Sequence, residues 1–188
     1  MRTAIFGGTF DPIHTAHTRV AAEAANRFAL DRVLFIPSAH PPHKPAGQTT
    51  PFLHRFRMVE LACGSDPRFV PSRLEEHTTV SYSIDTILKV KAALAPGDEL
   101  HFLIGADAFA EIGSWRRSAE VLQAVDFLVV SRPGYDYPIP PAARVHRLET
   151  LALVISSSEI RRKLESGGAV PELHPQVLAY IQTHGLYR

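Results

Sequence analysis

The chain alternates short apolar runs with longer segments whose apolar side chains recur at helical spacing. The short runs predict strands at residues 3–6, 32–36, 68–70, 99–104 and 126–130. The longer segments predict helices at residues 15–28, 51–63, 83–94, 118–123, 157–165 and 175–183. Strands that alternate with helices favour a parallel sheet with helices on both faces. The pattern therefore predicts an α/β fold, and we expect one domain over residues 1–188.

Two proline clusters interrupt this pattern and predict long loops. Five prolines lie between Pro37 and Pro51, and four between Pro133 and Pro141. Proline removes a backbone donor and fixes φ, so neither cluster suits a helix or a central strand. In parallel α/β sheets ligands bind at the carboxyl ends of the strands. We therefore expect the site just after residues 6, 36, 104 and 130.

Composition excludes several classes of function. The chain has 20 Lys and Arg against 19 Asp and Glu, a formal net charge of +1, which argues against a nucleic-acid-binding arm. Cys63 is the one cysteine, so a disulfide within the chain and a cysteine-based zinc cluster are excluded, and we expect a buried thiol. The sequence has neither a signal-peptide pattern nor an apolar run long enough for a membrane span. We expect a cytoplasmic protein without a membrane partner, and an oligomer of identical chains is left open.

The first candidate motif follows the first predicted strand, at residues 7–17 (GGTFDPIHTAH). Gly7 and Gly8 allow a sharp turn and a close approach of the backbone to a ligand. His14 and His17 are three residues apart, so they share one face at the start of a helix, where free N–H groups favour anions. The motif indicates a phosphate site. It matches neither the Walker A loop nor the dinucleotide-binding glycine pattern.

The second candidate motif is at residues 155–162 (ISSSEIRR). Ser156 or Ser157 suits the N-cap of the predicted helix. Arg161 and Arg162 lie early in that helix, where its dipole disfavours cations. A phosphate bound at this helix start would offset that cost.

Together these motifs resemble the paired H-x-G-H and I-S-S-T-x-I-R signatures of the nucleotidyltransferases. Further segments resemble bacterial nicotinate-mononucleotide adenylyltransferases, and the likeness covers essentially the whole chain, with a single-domain Rossmann-like sheet implied. The additional segments are PPHK at 41–44, YSIDT at 82–86, GAD at 105–107, GSW at 113–115, RPG at 132–134 and the YI and GLY near the end.

The resemblance implies transfer of AMP from ATP to nicotinate mononucleotide, with release of pyrophosphate, as a step of NAD biosynthesis. It implies His14, His17 and Arg161 as catalytic residues at the ATP phosphates. It implies that ATP binds to Gly7, Gly8, Thr9, Phe10, Gly105, Asp107, Ser156 and Ser157. Mg²⁺ is expected as the cofactor, held mainly by phosphate and water oxygens, so no dedicated metal ligands are expected in the protein.

For the acceptor, the resemblance implies Lys44, Ser83, Asp85, Trp115 and Arg132. The Trp115 ring would stack on the pyridine ring, and the N–H of Ser83 would meet the nicotinate carboxylate at a helix start. Asp85 would lie near the sugar, with Lys44 and Arg132 near phosphates.

Three residues depart from the family pattern. Ala16 replaces the glycine of H-x-G-H, and serine replaces threonine at Ser83 and Ser158. The Cβ of Ala16 would lie where ATP presses against the helix, so we expect a slight displacement of ATP. The two serines keep the hydroxyl and lose a methyl group, which affects positioning rather than the reaction.

Three alternatives stay open at this stage. A sister transferase would use nicotinamide mononucleotide or phosphopantetheine as the acceptor. A metal-dependent hydrolase would use the pairs His14/His17 and His40/His43, although the H-E-x-x-H pattern is missing. A non-catalytic nucleotide-binding module would share the fold, since fold alone does not fix function.

Overall fold

The computed structural model describes residues 1–41, 47–151 and 155–188. Six strands form one sheet in which every neighbouring pair is parallel. The strands are β1 (Arg2–Gly8), β2 (Arg32–Pro37), β3 (Phe69–Pro71), β4 (Glu99–Gly105), β5 (Asp126–Ser131) and β6 (Val145–Glu149). Their order across the sheet is β3-β2-β1-β4-β5-β6. This is the doubly wound order in which the chain reverses direction between β1 and β4, and a crevice opens at that point.

Seven α-helices and one short 3₁₀ helix connect and follow these strands in the described part of the chain. They are α1 (Thr15–Arg27), α2 (Phe52–Cys63), α3 (Ser83–Ala92), α4 (Ala106–Ala110), the 3₁₀ turn Ile112–Ser114, α5 (Ser118–Ala124), α6 (Ser157–Glu165) and α7 (Pro175–Thr183). The predicted α/β class and parallel sheet are confirmed. The predicted extent of the domain, residues 1–188, stays a prediction.

The sheet is covered on both faces, because consecutive residues of a strand point to opposite sides. Ala4 belongs to the core cluster that contains residues of α1, α2 and α7, whereas its neighbour Ile5 belongs to the cluster with residues of α3 and α5. Leu128 and Val129 divide in the same way on β5. Burial on both faces explains why the strands read as continuous apolar runs rather than as alternating patterns.

The sequence pattern missed the elements with the weakest apolar signal. β6 is an edge strand with the sequence VHRLE, in which only Leu148 is fully buried, so it reads as a polar loop. α4 has five residues and the 3₁₀ turn three, too short for a helical period to appear. The other boundaries agree within two residues; the weak strand predicted at 68–70 lies at Phe69–Pro71.

Two smaller expectations concern burial. Cys63 is buried at the end of α2, and this burial raises the pKa of its thiol to about 12, as expected for a core cysteine. In the described ranges, no helix is both long and apolar enough to cross a membrane.

Candidate active site

A cleft opens at the carboxyl ends of β1 and β4, where the chain reverses direction across the sheet. It consists of two cavities, of about 650 Å³ and 320 Å³, and Phe6 and Gly105 line both. The larger one contains Gly7, Gly8, Thr9, Ser83 and Trp115 in its wall. The smaller one contains His14, Ala16, His17, Ser156 and Ser157. The predicted location of the site at the strand ends therefore agrees with the cavities.

The turn after β1 is made differently from the sequence prediction. Gly7 and Gly8 lie in the strand, and the left-handed conformation falls on Phe10, with φ of 49°. The prediction that the glycines supply the sharp turn is therefore wrong. Gly8 instead supplies room, since a Cβ there would lie 3.1 Å from the Phe10 ring. The buried Phe10 ring lines neither cavity, and it packs edge-on against the His17 ring with 5.1 Å between ring centres.

His14 and His17 form a stacked pair at the start of α1. Their ring centroids are 3.8 Å apart and the rings are tilted by 31°. His14 is the N-cap residue, and its backbone N–H donates to Nδ1 of His17 at 3.2 Å. Because Nδ1 of His17 accepts this bond, a neutral His17 carries its hydrogen on Nε2. The local structure thus selects the tautomer that can donate from Nε2.

Burial keeps both imidazoles uncharged at neutral pH. Desolvation lowers the pKa of His14 to about 4, although Glu172 opposes this shift. Desolvation also lowers the pKa of His17 well below its usual value, and the neighbouring His14 adds to that effect. Two neutral rings can stack closely without charge repulsion. A bound triphosphate would favour the charged forms, so these imidazoles can respond to ATP.

We expect the stability of the free protein to fall as the pH decreases from about 6.5 to 4. The unfolded chain binds a proton at His14 near pH 6.5, whereas the folded chain binds it only near pH 4. Stability from this residue is therefore complete above pH 6.5, and about 2–3 kcal/mol is lost by pH 4.5. Urea unfolding at pH 7.5 and 4.5 should show a smaller pH dependence for His14→Gln than for the wild type. Equal pH dependence in both proteins would contradict a buried neutral His14.

The start of α6 lies directly against the loop that precedes α1. Ser156 is the N-cap, and its Oγ accepts from the N–H of Glu159 at 3.2 Å. Ser157 Oγ donates to the carbonyl of Pro12 at 3.0 Å, across 145 positions of sequence. The structure thus brings the two sequence motifs together and selects Ser156 as the cap.

Arg161 also connects these two segments. Its guanidinium donates to the carbonyl of Asp11 at 2.8 Å and to Ser158 Oγ at 3.3 Å. Among the described residues no carboxylate pairs with it, so its positive charge is available to an anion. The neighbouring Arg162 is exposed and forms none of these contacts.

Sequence reasoning missed a buried polar network behind the site. Asp11 is buried; Tyr187 Oη donates to its Oδ1 at 2.6 Å, and the N–H of Thr50 donates to its Oδ2 at 3.2 Å. The guanidinium of Arg55 is also buried and donates to the carbonyls of Thr9 and Thr50, each at 2.7 Å. These bonds connect the loops after β1 and β2 to the end of the chain. An arginine inside an otherwise ordinary helical pattern gives no sequence signal of such a role.

The acceptor residues are only partly brought together. Trp115 and Ser83 line the larger cavity, with the Trp115 ring edge-on to Phe102 at 6.1 Å between ring centres. Asp85 and Arg132 line neither cavity; Asp85 is exposed and 3.7 Å from Arg117. Lys44 lies outside the described residues. All five acceptor assignments stay predictions.

Asp107, expected at the adenosine ribose, already has a partner. Tyr135 Oη donates to its Oδ1 at 2.8 Å, and this aspartate is not a helix cap, because Gly105 is the N-cap of α4. A ribose hydroxyl would have to share or replace the Tyr135 bond. The predicted role of Asp107 stays a prediction.

The described residues that line the smaller cavity carry imidazole and hydroxyl groups and no carboxylate, and the Mg²⁺ expected from the sequence stays a prediction. Asp11 is the carboxylate of the loop before α1, and both its oxygens already accept hydrogen bonds. Throughout residues 1–41, 47–151 and 155–188, no group of three or more His, Cys, Asp and Glu side chains is placed to hold a metal. His14 and His17 stack against each other rather than converging on a common ion. The other pair of the hydrolase alternative includes His43, which lies outside the described residues, so that pair stays a prediction.

The chain matches the Cytidylyltransferase-like family over residues 5–163. It is 63% identical, over the full length of both chains, to a protein of Solibacter usitatus named "Probable nicotinate-nucleotide adenylyltransferase". It is 42% identical, again over both full lengths, to a Thermus thermophilus protein of the same name. A nicotinic acid mononucleotide adenylyltransferase of Plasmodium falciparum complexed with NaAD superposes with a TM-score of 0.80 at 24% identity, covering 99% of this chain and 97% of that one.

The strand order and the two adjoining helix starts are those of an α/β protein that binds nucleotides at the switch point of a parallel sheet. The chain belongs to the cytidylyltransferase-like family and, within it, to the nicotinate-nucleotide adenylyltransferases. The sequence resemblance and the predicted enzyme class are thereby confirmed. The roles of the individual site residues stay predictions.

Proposed function

We propose that the protein transfers AMP from ATP to nicotinate mononucleotide and releases pyrophosphate. The phosphate oxygen of the mononucleotide attacks the α-phosphorus, a new P–O bond forms, and the bond to the β-phosphate oxygen breaks. The proposal is carried by one observation: His14, His17, Ser156 and Ser157 line the same cavity although they come from motifs far apart in sequence. The names of the full-length relatives give the acceptor.

The smaller cavity supplies the positive field that this reaction needs. Charge on the phosphoryl oxygens grows in the transition state, and preorganised donors stabilise it there. Nε2–H of His17 is fixed by the bond at Nδ1, the start of α6 offers N–H groups, and Arg161 adds a charge. His17 therefore acts at the α-phosphate, whereas Arg161 and the α6 start neutralise the leaving pyrophosphate.

The larger cavity holds the acceptor in this scheme. Its apolar wall, which includes Phe102 and Trp115, suits a planar aromatic ring. The start of α3 has no side-chain cap, so the Ser83 N–H is available to an anionic group of the acceptor. Gly7, Gly8 and Thr9 line the same cavity, where a backbone with small side chains would allow a phosphate of the acceptor to approach.

Mg²⁺ completes the proposal as a cofactor that enters with ATP. When bound, it would neutralise phosphate oxygens as a Lewis acid. Thr9 in the larger cavity and Ser156 in the smaller one offer hydroxyl groups that could help to hold it. The protein contributes positioning and donors rather than a dedicated carboxylate cage.

The proposal is tested by incubating the purified protein with ATP, Mg²⁺ and each of three acceptors. Nicotinate mononucleotide should yield pyrophosphate and the deamido dinucleotide, measured by coupled phosphate release and chromatography. Nicotinamide mononucleotide and phosphopantetheine should react more slowly, since they are the acceptors of the alternative sister transferases. A failure to release pyrophosphate with all three would refute the enzyme assignment.

Trp115→Ala should weaken acceptor binding and leave ATP binding unchanged. Stacking on an aromatic side chain contributes about 1 kcal/mol beyond the buried area, so KM for nicotinate mononucleotide should rise about fivefold. Initial rates with each substrate varied in turn provide the two KM values, and Trp115→Phe is the matched control that keeps an aromatic face. An equal rise in both KM values would instead mean that Trp115 supports the fold.

The cytoplasmic location, the absence of a nucleic-acid partner and an oligomer of identical chains stay predictions from the sequence. Nucleotide substrates are supported by the NaAD with which the Plasmodium falciparum enzyme is complexed.

A further inference from the structure

The larger cavity contains two opposite charges that the mechanism above does not use. Among the described residues that line it, Glu75 and Arg116 are the charged ones. Neither forms an ion pair within 4 Å among the described residues, although the buried Arg55 guanidinium interacts electrostatically with Glu75. The other described side chains in its wall are apolar or neutral, so these two are the charged side chains that a ligand in the cavity would meet.

Glu75 is a buried acid in which one of the two carboxyl oxygens has no hydrogen-bond partner among the described residues. The residue is 6% exposed. Oε1 accepts from the hydroxyl of Thr86, which fixes the carboxyl group beneath the first turn of α3. Oε2 is buried and has no hydrogen-bond partner among the described residues. Leaving such an oxygen unpaired costs free energy, which a positive group in the cavity would offset.

Arg116 is held at the exposed side of the same cavity. Its guanidinium lies over the Tyr82 ring, with 4.6 Å from Cζ to the ring centre. Tyr82 is the N-cap of α3, so Arg116 lies near the uncapped N–H groups of that helix. The adjacent Arg117 differs, because Glu120 and Asp85 neutralise it. Arg116 therefore keeps its charge for a ligand.

We propose that Glu75 and Arg116 make the cavity selective for a ring that carries both a positive charge and a carboxylate; this inference rests on the proposed function. The pyridine ring of nicotinate mononucleotide is such a group, since its glycosylated nitrogen is cationic. That nitrogen has no hydrogen to donate, so it is recognised only by charge attraction, and a buried carboxyl group in the cavity wall provides that attraction. Arg116 pairs with the ring carboxylate in a charge-assisted bond.

Three acceptors of nearly equal shape allow the contributions of Glu75 and Arg116 to be measured separately, because they differ in the charges on the ring. Nicotinate mononucleotide has the cation and the carboxylate, nicotinamide mononucleotide has the cation alone, and reduced nicotinamide mononucleotide has a neutral ring. For each we would measure kcat/KM at saturating ATP, or the inhibition constant against nicotinate mononucleotide where turnover is slow. The proteins compared are the wild type, Arg116→Gln, Arg116→Lys and Glu75→Gln. Arg57→Gln is the control, because Arg57 is exposed on α2 and pairs with Glu60 outside the cavity.

For Arg116→Gln we expect at least a ~10-fold loss with nicotinate mononucleotide and less than ~2-fold change with the two amides, since one charge-assisted bond is removed. Arg116→Lys should recover most of the loss. A similar loss with the carboxylate and the amides would overturn the role of Arg116.

For Glu75→Gln we expect about a 10-fold loss with both cationic rings and little change with the reduced ring. An equal loss with all three acceptors would mean that Glu75 supports the fold only. Should this variant not fold, the wild-type preference for oxidised over reduced nicotinamide mononucleotide is the test, and a ratio near one would overturn the role of Glu75. Inactivity of the wild type with every acceptor would instead refute the proposed function.

Discussion

His17→Ala should lower kcat by at least ~100-fold and change the KM values little. His17 offers a donor at Nε2 whose position is fixed before ATP binds, because Nδ1 accepts from the backbone of His14 and Phe10 packs against the ring. Removing one preorganised donor to developing charge typically costs about 10²–10³ in kcat. Steady-state kinetics with both substrates varied would measure the effect.

Two further variants make this result interpretable. His17→Gln places an amide N–H near the position of Nε2 and should recover part of the lost rate. His77→Ala removes an imidazole that is 92% exposed, and its kcat should equal that of the wild type. If His17→Ala raised only KM, the ring would be a binding contact that is equally strong in the ground state and the transition state.

Arg161→Ala should lower kcat by about 10²-fold through poorer stabilisation of the leaving pyrophosphate. Its guanidinium is held in place by Asp11 and Ser158 and lacks a carboxylate partner among the described residues. The reverse reaction provides the sharper measurement, because KM for pyrophosphate should rise while KM for the dinucleotide stays constant. Arg162→Ala is the matched control on the next residue, which is exposed.

A purely structural Arg161 would behave differently in the same assay. If Arg161 only supported the fold, loss of its bond to the Asp11 carbonyl would weaken the binding of both pyrophosphate and the dinucleotide. It would also lower the melting temperature. Arg161→Lys, which keeps the charge but cannot form both bonds, should therefore retain pyrophosphate binding better than Arg161→Ala.

The sequence predicted the order of the elements because each buried element carries its own apolar period. It failed where that period was absent: at the polar edge strand β6 and at the short α4. The turn after β1 shows a different limit. The sequence predicted that Gly7 and Gly8 make the turn. The residue in the left-handed conformation is instead Phe10, whose ring is buried against Phe6 and His17. Tertiary packing, which the local pattern does not contain, selects that conformation.

The sequence likewise predicted some residues of the candidate site and missed others. Motif chemistry predicted the imidazoles, the serines and Arg161, because helix starts and phosphate donors leave local signatures. Glu75 and Arg55 left none, since each is an ordinary polar residue in its own segment. Tyr187 belongs to a segment that resembles the family, but nothing in that segment indicated its bond to Asp11. Their importance comes from burial, which turns a single unpaired oxygen or a guanidinium into a strong local field.

The order of residues along the chain was enough to specify the α/β class, the family and the two segments expected to meet phosphate. Folding then selected which atoms of those segments face each other. It selected the His17 tautomer through the backbone of His14, and it selected Ser156 rather than Ser157 as the cap of α6. It also placed Glu75 and Arg116 in one cavity. The physical reason is that the apolar periodicity depends on residues that are close in sequence. Burial and charge pairing depend instead on distances that exist only after the chain has folded.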